Sequence, residues 1–297
     1  MSKTTTHKAE LLLDNQHILG EGPVWDRKKQ LLFWVDIEGK QLNQYNPTSR
    51  KHTKWSFNEM PGAALPTDND QLLLALESGL ASFNYESKEL TKHHVLENSN
   101  QSLRFNDGKV GPDGHLWIGT MDKNCAPEKG NFYRVSPRMN STLQLAKTSI
   151  SNGMAWSSNR KTFYYIDSAT FVVRAFDFDV DSSSISNGKP VITVPEEYGS
   201  PDGMCIDAED MLWIAHWGGH CVRRWNPKTG EVLQKIAVEA PHVTSCCFGG
   251  RNLDTLYITT ARSGLTESQL KAFPKSGGLF EYGPNIKGTP ITYFKNH

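Results

Sequence analysis

Long apolar runs, an excess of charge and a pattern of paired cysteines are all missing from this sequence. No apolar stretch reaches the roughly 20 residues that a membrane-spanning helix needs, and Met1–Glu10 is polar, without the apolar core of a secretory signal. A cytoplasmic protein without a membrane partner is expected. Basic and acidic side chains balance at 32 each over 297 residues, so neither sign provides a footing for a nucleic-acid backbone or an anionic lipid surface. The five cysteines, Cys125, Cys205, Cys221, Cys246 and Cys247, are odd in number and follow no CxxC spacing, which argues against a structural zinc site. Cys205, Cys246 and Cys247 lie inside apolar runs and are expected to be buried thiols. Helix signals are scarce too, and only Glu267–Ala272, just ahead of Pro274, reads as one.

What the chain does contain is a dipeptide that returns: an acid or amide followed by Gly, opening a short apolar run. It occurs as Glu21-Gly22, Asp107-Gly108, Asn152-Gly153 and Asp202-Gly203, each followed by a second apolar stretch such as Leu116-Trp117-Ile118 or Leu212-Trp213-Ile214. Related units without the acid begin at Gly62 and Ser245. About six copies start at intervals of roughly 40 to 50 residues, the period of a β-propeller blade. The expected fold is therefore all-β, a six-bladed β-propeller. A strand over Ala9–Leu13 precedes the first repeat and is expected to pair with the last blade and close the ring, hiding a sheet edge. Residues 1–8 are expected to be a flexible tail and residues 9–297 one domain, as a monomer or weak homo-oligomer.

Copies arranged around one axis bring equivalent positions together, so Glu21, Asn152 and Asp202 are expected to converge at one end of a central channel as a metal site. The plainer reading is that Asx-Gly dipeptides are turns, because Gly tolerates positive φ and Asx side chains bond their own backbone. Three details favour ligation. Glu21 is not a preferred turn residue, Asn106 and Arg104 add polar groups beside Asp107, and the equivalent places at Pro61 and Thr244-Ser245 carry no acid. Blade geometry alone therefore does not demand the oxygen donors. His242 reads as an exposed loop residue, and His93-His94 as part of a solvated outer strand.

The stretches Leu103-Arg104-Phe105-Asn106-Asp107-Gly108-Lys109-Val110, Ser151-Asn152-Gly153-Met154-Ala155-Trp156, Pro201-Asp202-Gly203-Met204-Cys205-Ile206-Asp207 and Thr244–Gly250, with the opening Gly20–Trp25, resemble the motifs of the senescence marker protein/gluconolactonase family, the regucalcin-like sugar lactonases. The resemblance runs through nearly the whole chain in order. It implies one divalent cation near the axis and hydrolysis of an aldonolactone to its aldonic acid. Glu21, Asn152 and Asp202 match the family's metal ligands, and Arg104 and Asn106 match residues that contact the sugar lactone. The sequence departs from some relatives at Asp122-Lys123-Asn124 and at His216-Trp217, leaving the sugar open; His216 either reaches a lactone hydroxyl or packs at the rim.

Carboxylate and amide oxygens are hard ligands that suit Ca²⁺, Mg²⁺ or Mn²⁺ and do not exclude Zn²⁺. A cation so held would polarise the lactone carbonyl, and Asp202 is the candidate base for the attacking water, with a metal-held hydroxide as the alternative. Two other functions use the same site: a non-catalytic calcium-binding regulator, which has no need of Arg104 and Asn106, and an esterase or phosphotriesterase, which favours a more apolar pocket.

Overall fold

The structure, a computed structural model, describes residues 5–93, 96 and 101–295. Met1–Thr4 of the expected tail, and His94, lie outside the described residues. The chain opens with β1 (Thr5–Lys8) and β2 (Glu10–Leu13). Four four-stranded sheets follow in chain order. They are β3–β6 (Gly20–Asp26, Leu31–Asp36, Gln41–Asn46, Lys51–Ser56), β7–β10 (Pro61–Pro66, Leu72–Leu76, Gly79–Asn84, Glu89–His93), β11–β14 (Leu103–Val110, Leu116–Asp122, Gly130–Val135, Ser141–Thr148) and β15–β18 (Ser151–Trp156, Thr162–Asp167, Val172–Asp179, Ser184–Thr193). The remaining strands are β19–β22 (Ser200–Ile206, Leu212–Trp217, Cys221–Asn226, Glu231–Ala237) and β23–β25 (His242–Gly249, Thr255–Ala261, Leu279–Tyr282).

Periodicity made the strands predictable, and turn chemistry separates them. Asn46, Asn84, Asp179 and Asn226 each accept backbone N–H bonds from the residues just beyond them, which folds the chain back between the third and fourth strands of a unit. The helix expected at Glu267–Ala272 forms, with Thr266 and Gln269 making a reciprocal capping box.

The expectation of six separate blades is corrected by the strand pairing. β19–β25 do not form two sheets: β1, β2 and β19–β25 make one nine-stranded sheet, ordered β1-β22-β21-β20-β23-β24-β25-β2 with β19 on β20. The join is a single backbone pair, Trp217 with His242, where the two rings stack at 3.9 Å and 16°. A repeat period reports how often a unit recurs. It carries no information about such a lateral pair, which depends on two side chains at the ends of strands 25 residues apart in sequence. The result is a propeller-like arrangement of four separate sheets and one joined sheet. The strand predicted at Ala9–Leu13 begins at Glu10 and pairs antiparallel with β25, while Thr5–Lys8, placed by sequence in the tail, runs parallel to β22.

Six strands form the innermost layer. β3, β7, β11, β15 and β19 each pack against the next, β19 against β23, and β23 against β3. Between sheets lie apolar clusters centred on fully enclosed rings, among them Trp34, Trp117, Trp213 and Phe163. Burial of that kind fixes the angle between neighbouring sheets and so the positions of the strands around the channel.

Candidate metal centre

The acid–Gly and amide–Gly dipeptides sit at β-bulges. The ladder slips between Glu21 and Val24 in β3, between Phe105 and Gly108 in β11, between Ser151 and Met154 in β15 and between Pro201 and Met204 in β19. A bulge frees a residue from the alternation and re-aims its side chain, so these positions are not simple turns. Gly makes the approach possible: a Cβ on Gly153 would lie 2.6 Å from the Asp202 carbonyl oxygen, and one on Gly203 would collide with Ser245. Neighbouring inner strands thus touch through their glycines while the preceding acid or amide remains beside them.

A continuous set of hydrogen bonds links these positions. Arg104 Nη1 donates to Asn106 Oδ1 at 2.6 Å and to the Phe105 carbonyl at 3.0 Å. Asn106 Nδ2 donates to the Ser151 carbonyl at 2.7 Å and to Asn152 Oδ1 at 3.2 Å. Asn152 Nδ2 in turn donates to Ser168 Oγ at 2.8 Å, and Ser168 Oγ donates to the carbonyl of Pro201, next to Asp202, at 2.6 Å. Both amides are thereby oriented: each nitrogen is used within the protein, and the Asn152 oxygen is held in a fixed place. Even the most exposed member, Arg104, is only 9% exposed.

Electrostatics marks the same place. Burial, followed by the Asp107 carboxylate, raises Glu21 to about 8. Burial and then the charge of Glu21 push Asp202 well above the ordinary carboxylate range, and burial raises Asp107. Arg104 is lowered by burial, which Glu21 opposes. The guanidinium donates to an amide and a backbone carbonyl, so it compensates the acids only at a distance. Asp202 Oδ1 and Asp107 Oδ2 are buried without a hydrogen-bond partner among the described residues.

Buried, mutually repelling carboxylates with an unpartnered oxygen are costly unless a cation joins them. Glu21, Asn152 and Asp202, all oxygen donors from three different sheets, therefore fit a hard divalent ion. Among the described residues no three His, Cys, Asp or Glu side chains make a metal cage by themselves.

His216 is not brought to it. The ring is fully buried, with Nδ1 3.4 Å from the Gly199 carbonyl and Nε2 accepting from Trp225 Nε1 at 3.4 Å. Burial, with help from Arg223, pushes it down to about 3, and it stays neutral. Asp122 holds its own turn, accepting from the Asn124 N–H at 2.8 Å, and Lys123 pairs with Glu77. His242, expected in an exposed loop, is half-buried in the Trp217 stack. His93 ends an exposed outer strand and bonds Ser82 at 2.8 Å.

Sequence reasoning missed three members. Asp107 belongs to one of the recurring dipeptides, so its signal was present but was absorbed by its neighbour Asn106. Ser168 stands in a short 3-10 turn and carries no sequence signal, while Ser151, which opens the Ser151–Trp156 motif, contributes only its backbone carbonyl oxygen.

Comparison with known proteins shows the family to which the chain belongs. The chain is similar to regucalcin of Xenopus laevis, 34% identical over 97% of this chain and 98% of the relative. It is 35% identical to YvrE of Bacillus subtilis (strain 168), a protein whose name assigns it a sugar lactone lactonase activity, over 92% of this chain and 93% of that one. The crystal structure of a calcium-binding protein, regucalcin, from Agrobacterium tumefaciens superposes with a TM-score of 0.94 at 27% identity, covering 99% of both chains. Residues 19–262 match the model of the SMP-30/gluconolactonase/LRE-like region, and the chain belongs to that family.

Proposed function

We propose that this protein is a metal-dependent lactonase that hydrolyses a pentono- or hexonolactone to the aldonic acid. The observation that carries the reading is the meeting of two buried acids, Glu21 and Asp202, from different sheets, with one Asp202 oxygen unpartnered and Arg104 and Asn106 bonded to each other beside them. Relatives named as regucalcin and as a sugar lactone lactonase support the same class.

Glu21, Asn152 and Asp202 would hold the cation, which when bound supplies Lewis acidity toward a lactone carbonyl. Arg104 presents a planar fork of donors, and Asn106 holds that fork at 2.6 Å, so the two can fix a sugar ring through its hydroxyls. Asp202 is the acceptor for the proton of the attacking water, placed at the edge of the cation it would help to hold, where ligation lowers its basicity. The buried setting excludes bulk water from the rest of the site, which strengthens each of these contacts.

A panel of aldono-1,4- and 1,5-lactones, with γ-butyrolactone and a phosphotriester as controls, tests the proposal with and without chelator. Hydroxylated lactones are expected to turn over much faster than the controls, and the chelator to abolish turnover until Ca²⁺, Mg²⁺, Mn²⁺ or Zn²⁺ is restored. Equal kcat/KM on γ-butyrolactone would contradict sugar recognition. Tight calcium binding without turnover of any lactone would point instead to a calcium-binding regulator.

A further inference from the structure

A chamber adjoins the acids on the side of the residues that follow the bulges. It encloses about 340 Å³, near the lower end of the roughly 300–1,000 Å³ range of small-molecule sites. Its walls come from the residues that follow each bulge: Val24, Leu65, Val110, Met154, Ile206 and Phe248 among them. Glu21, Asn152 and Asp202 do not line it, and Asp107 is the one acid that does.

The last described residues span its far end. Gly288 pairs with Asp207 and Phe294 with Thr67, so this strap joins the ends of β19 and β7 on different sides of the ring. Phe294 is fully buried, its N–H donates to the Pro66 carbonyl at 3.0 Å, and its carbonyl accepts from the Asp68 N–H at 3.0 Å. Between the two anchors, Thr289–Thr292 contributes to the chamber wall.

Two cations serve this space. Lys109 reaches from β11 to the Met204 carbonyl of β19, across an intervening inner strand, and its half-buried ammonium uses only one of three protons in that bond. Arg160 lines the chamber from an exposed position. Asp107, the one acid on the wall, bears on the Lys109 charge, so the lining sets two cations against one carboxylate and keeps an excess of positive charge. The apolar walls, meanwhile, offer little to a polyhydroxylated sugar.

We infer that this chamber is a second binding site, beside Glu21, Asn152 and Asp202 and sharing only Asp107 with the acid cluster, for a small monocarboxylate with an apolar body, its carboxylate paired with Lys109. The pairing is charge complementarity with the excess positive charge of the lining, and the volume suits one ring with a short side chain.

The test is displacement of 8-anilinonaphthalene-1-sulfonate from the whole protein in the presence of chelator, so that failure of the lactonase reading leaves it unaffected. One saturable dye site per chain is expected, displaced by 3-phenylpropanoate at least tenfold more effectively than by 3-phenylpropan-1-ol, and not by glucono-1,5-lactone. Lys109→Gln is expected to weaken 3-phenylpropanoate about tenfold and to erase its advantage over the alcohol. Thr292→Trp on the strap and Ser158→Trp on the opposite wall are each expected to abolish dye binding by filling the space. Equal displacement by acid and alcohol in the unaltered protein, an advantage that persists in Lys109→Gln, displacement by the lactone, or dye binding that survives both tryptophan variants would overturn the assignment.

Discussion

Asp202 and Asp207 lie five residues apart at the two ends of the same stretch of chain, and both are buried, yet their surroundings are opposite. Asp207 is saturated: Oδ1 accepts from the N–H groups of Glu209 and Met211 at 2.9 and 3.0 Å, and Oδ2 from Trp213 Nε1 at 2.9 Å and Arg224 Nε at 2.7 Å. Asp202 leaves Oδ1 without a partner and faces the charges of Glu21 and Asp107. The first acid holds a turn and ties two strands together. The second is under-satisfied, as a group reserved for something the protein does not itself supply.

The largest effect expected from this contrast falls on activity. Asp202→Ala and Glu21→Ala should each lose the cation and at least about 10³-fold in kcat/KM, roughly 4 kcal/mol of barrier. In chelator the same variants should unfold no more easily than the unaltered protein, because each removes a buried carboxyl whose ionisation its neighbours oppose. Elemental analysis and urea unfolding check both halves, and full metal occupancy in both variants would end the assignment.

Asp207→Ala should do the reverse. Removing the acceptor leaves the Trp213 N–H and the Glu209 and Met211 amides without their partner and takes one of its two acids from Arg224, and a buried donor left unpaired costs about 1–3 kcal/mol. Cation content and kcat per folded molecule should stay as they were. A variant as stable as the parent would mean that Arg224, also paired with Glu209 at 2.6 Å, needs only one of its acids.

The acid cluster also gives the cation-free protein a pH dependence. Glu21 has a folded pKa of about 8 against an unfolded value near 4.5, so the folded form holds its proton more tightly. Its contribution to stability is complete below about pH 4.5 and is lost as pH rises toward 8, with an upper limit of about 1.4 kcal/mol per pH unit crossed. Urea unfolding in chelator at pH 5 and pH 8 should therefore show a loss of a few kcal/mol at the higher pH. Saturating divalent cation should remove that difference, since it takes the place of the proton. A flat profile in chelator would mean that the carboxylates are relieved by some other group.

The contrast also shows what was legible in the sequence. Strand positions were readable because the apolar alternation repeats; Glu21, Asn152 and Asp202 stood out because they share one register in different copies, and Asn106 because it lies beside Asp107 in a motif that resembles the family's. Saturation was not: Asp202 and Asp207 look alike as buried-run acids, and only the placement of Trp213 and Arg224 on β20 and β21 separates them. The joined sheet was hidden for a similar reason, because it turns on one contact between Trp217 and His242. Asp107 was visible as a residue and invisible as a charge, since its effect on Glu21 and Asp202 acts across the channel.

The smallest functional effect is expected at His216, which the sequence left open between a contact to a lactone hydroxyl and packing at the rim. Its ring is enclosed, both nitrogens are engaged within the protein, and it remains neutral with a value near 3. His216→Ala should change kcat/KM less than about threefold, while leaving Trp225 Nε1 unpartnered at about 1–3 kcal/mol of stability. The pH response supplies a second readout. A histidine whose folded pKa lies below its unfolded value of about 6.5 contributes stability that is present above pH 6.5 and lost as pH falls toward 3. That acid-side loss should shrink in His216→Ala, in the range where the Glu21 effect runs the other way. A tenfold fall in kcat/KM with an unchanged acid limb would instead place His216 in contact with the lactone, and the contrast between satisfied and reserved groups would then have to include a histidine that is both.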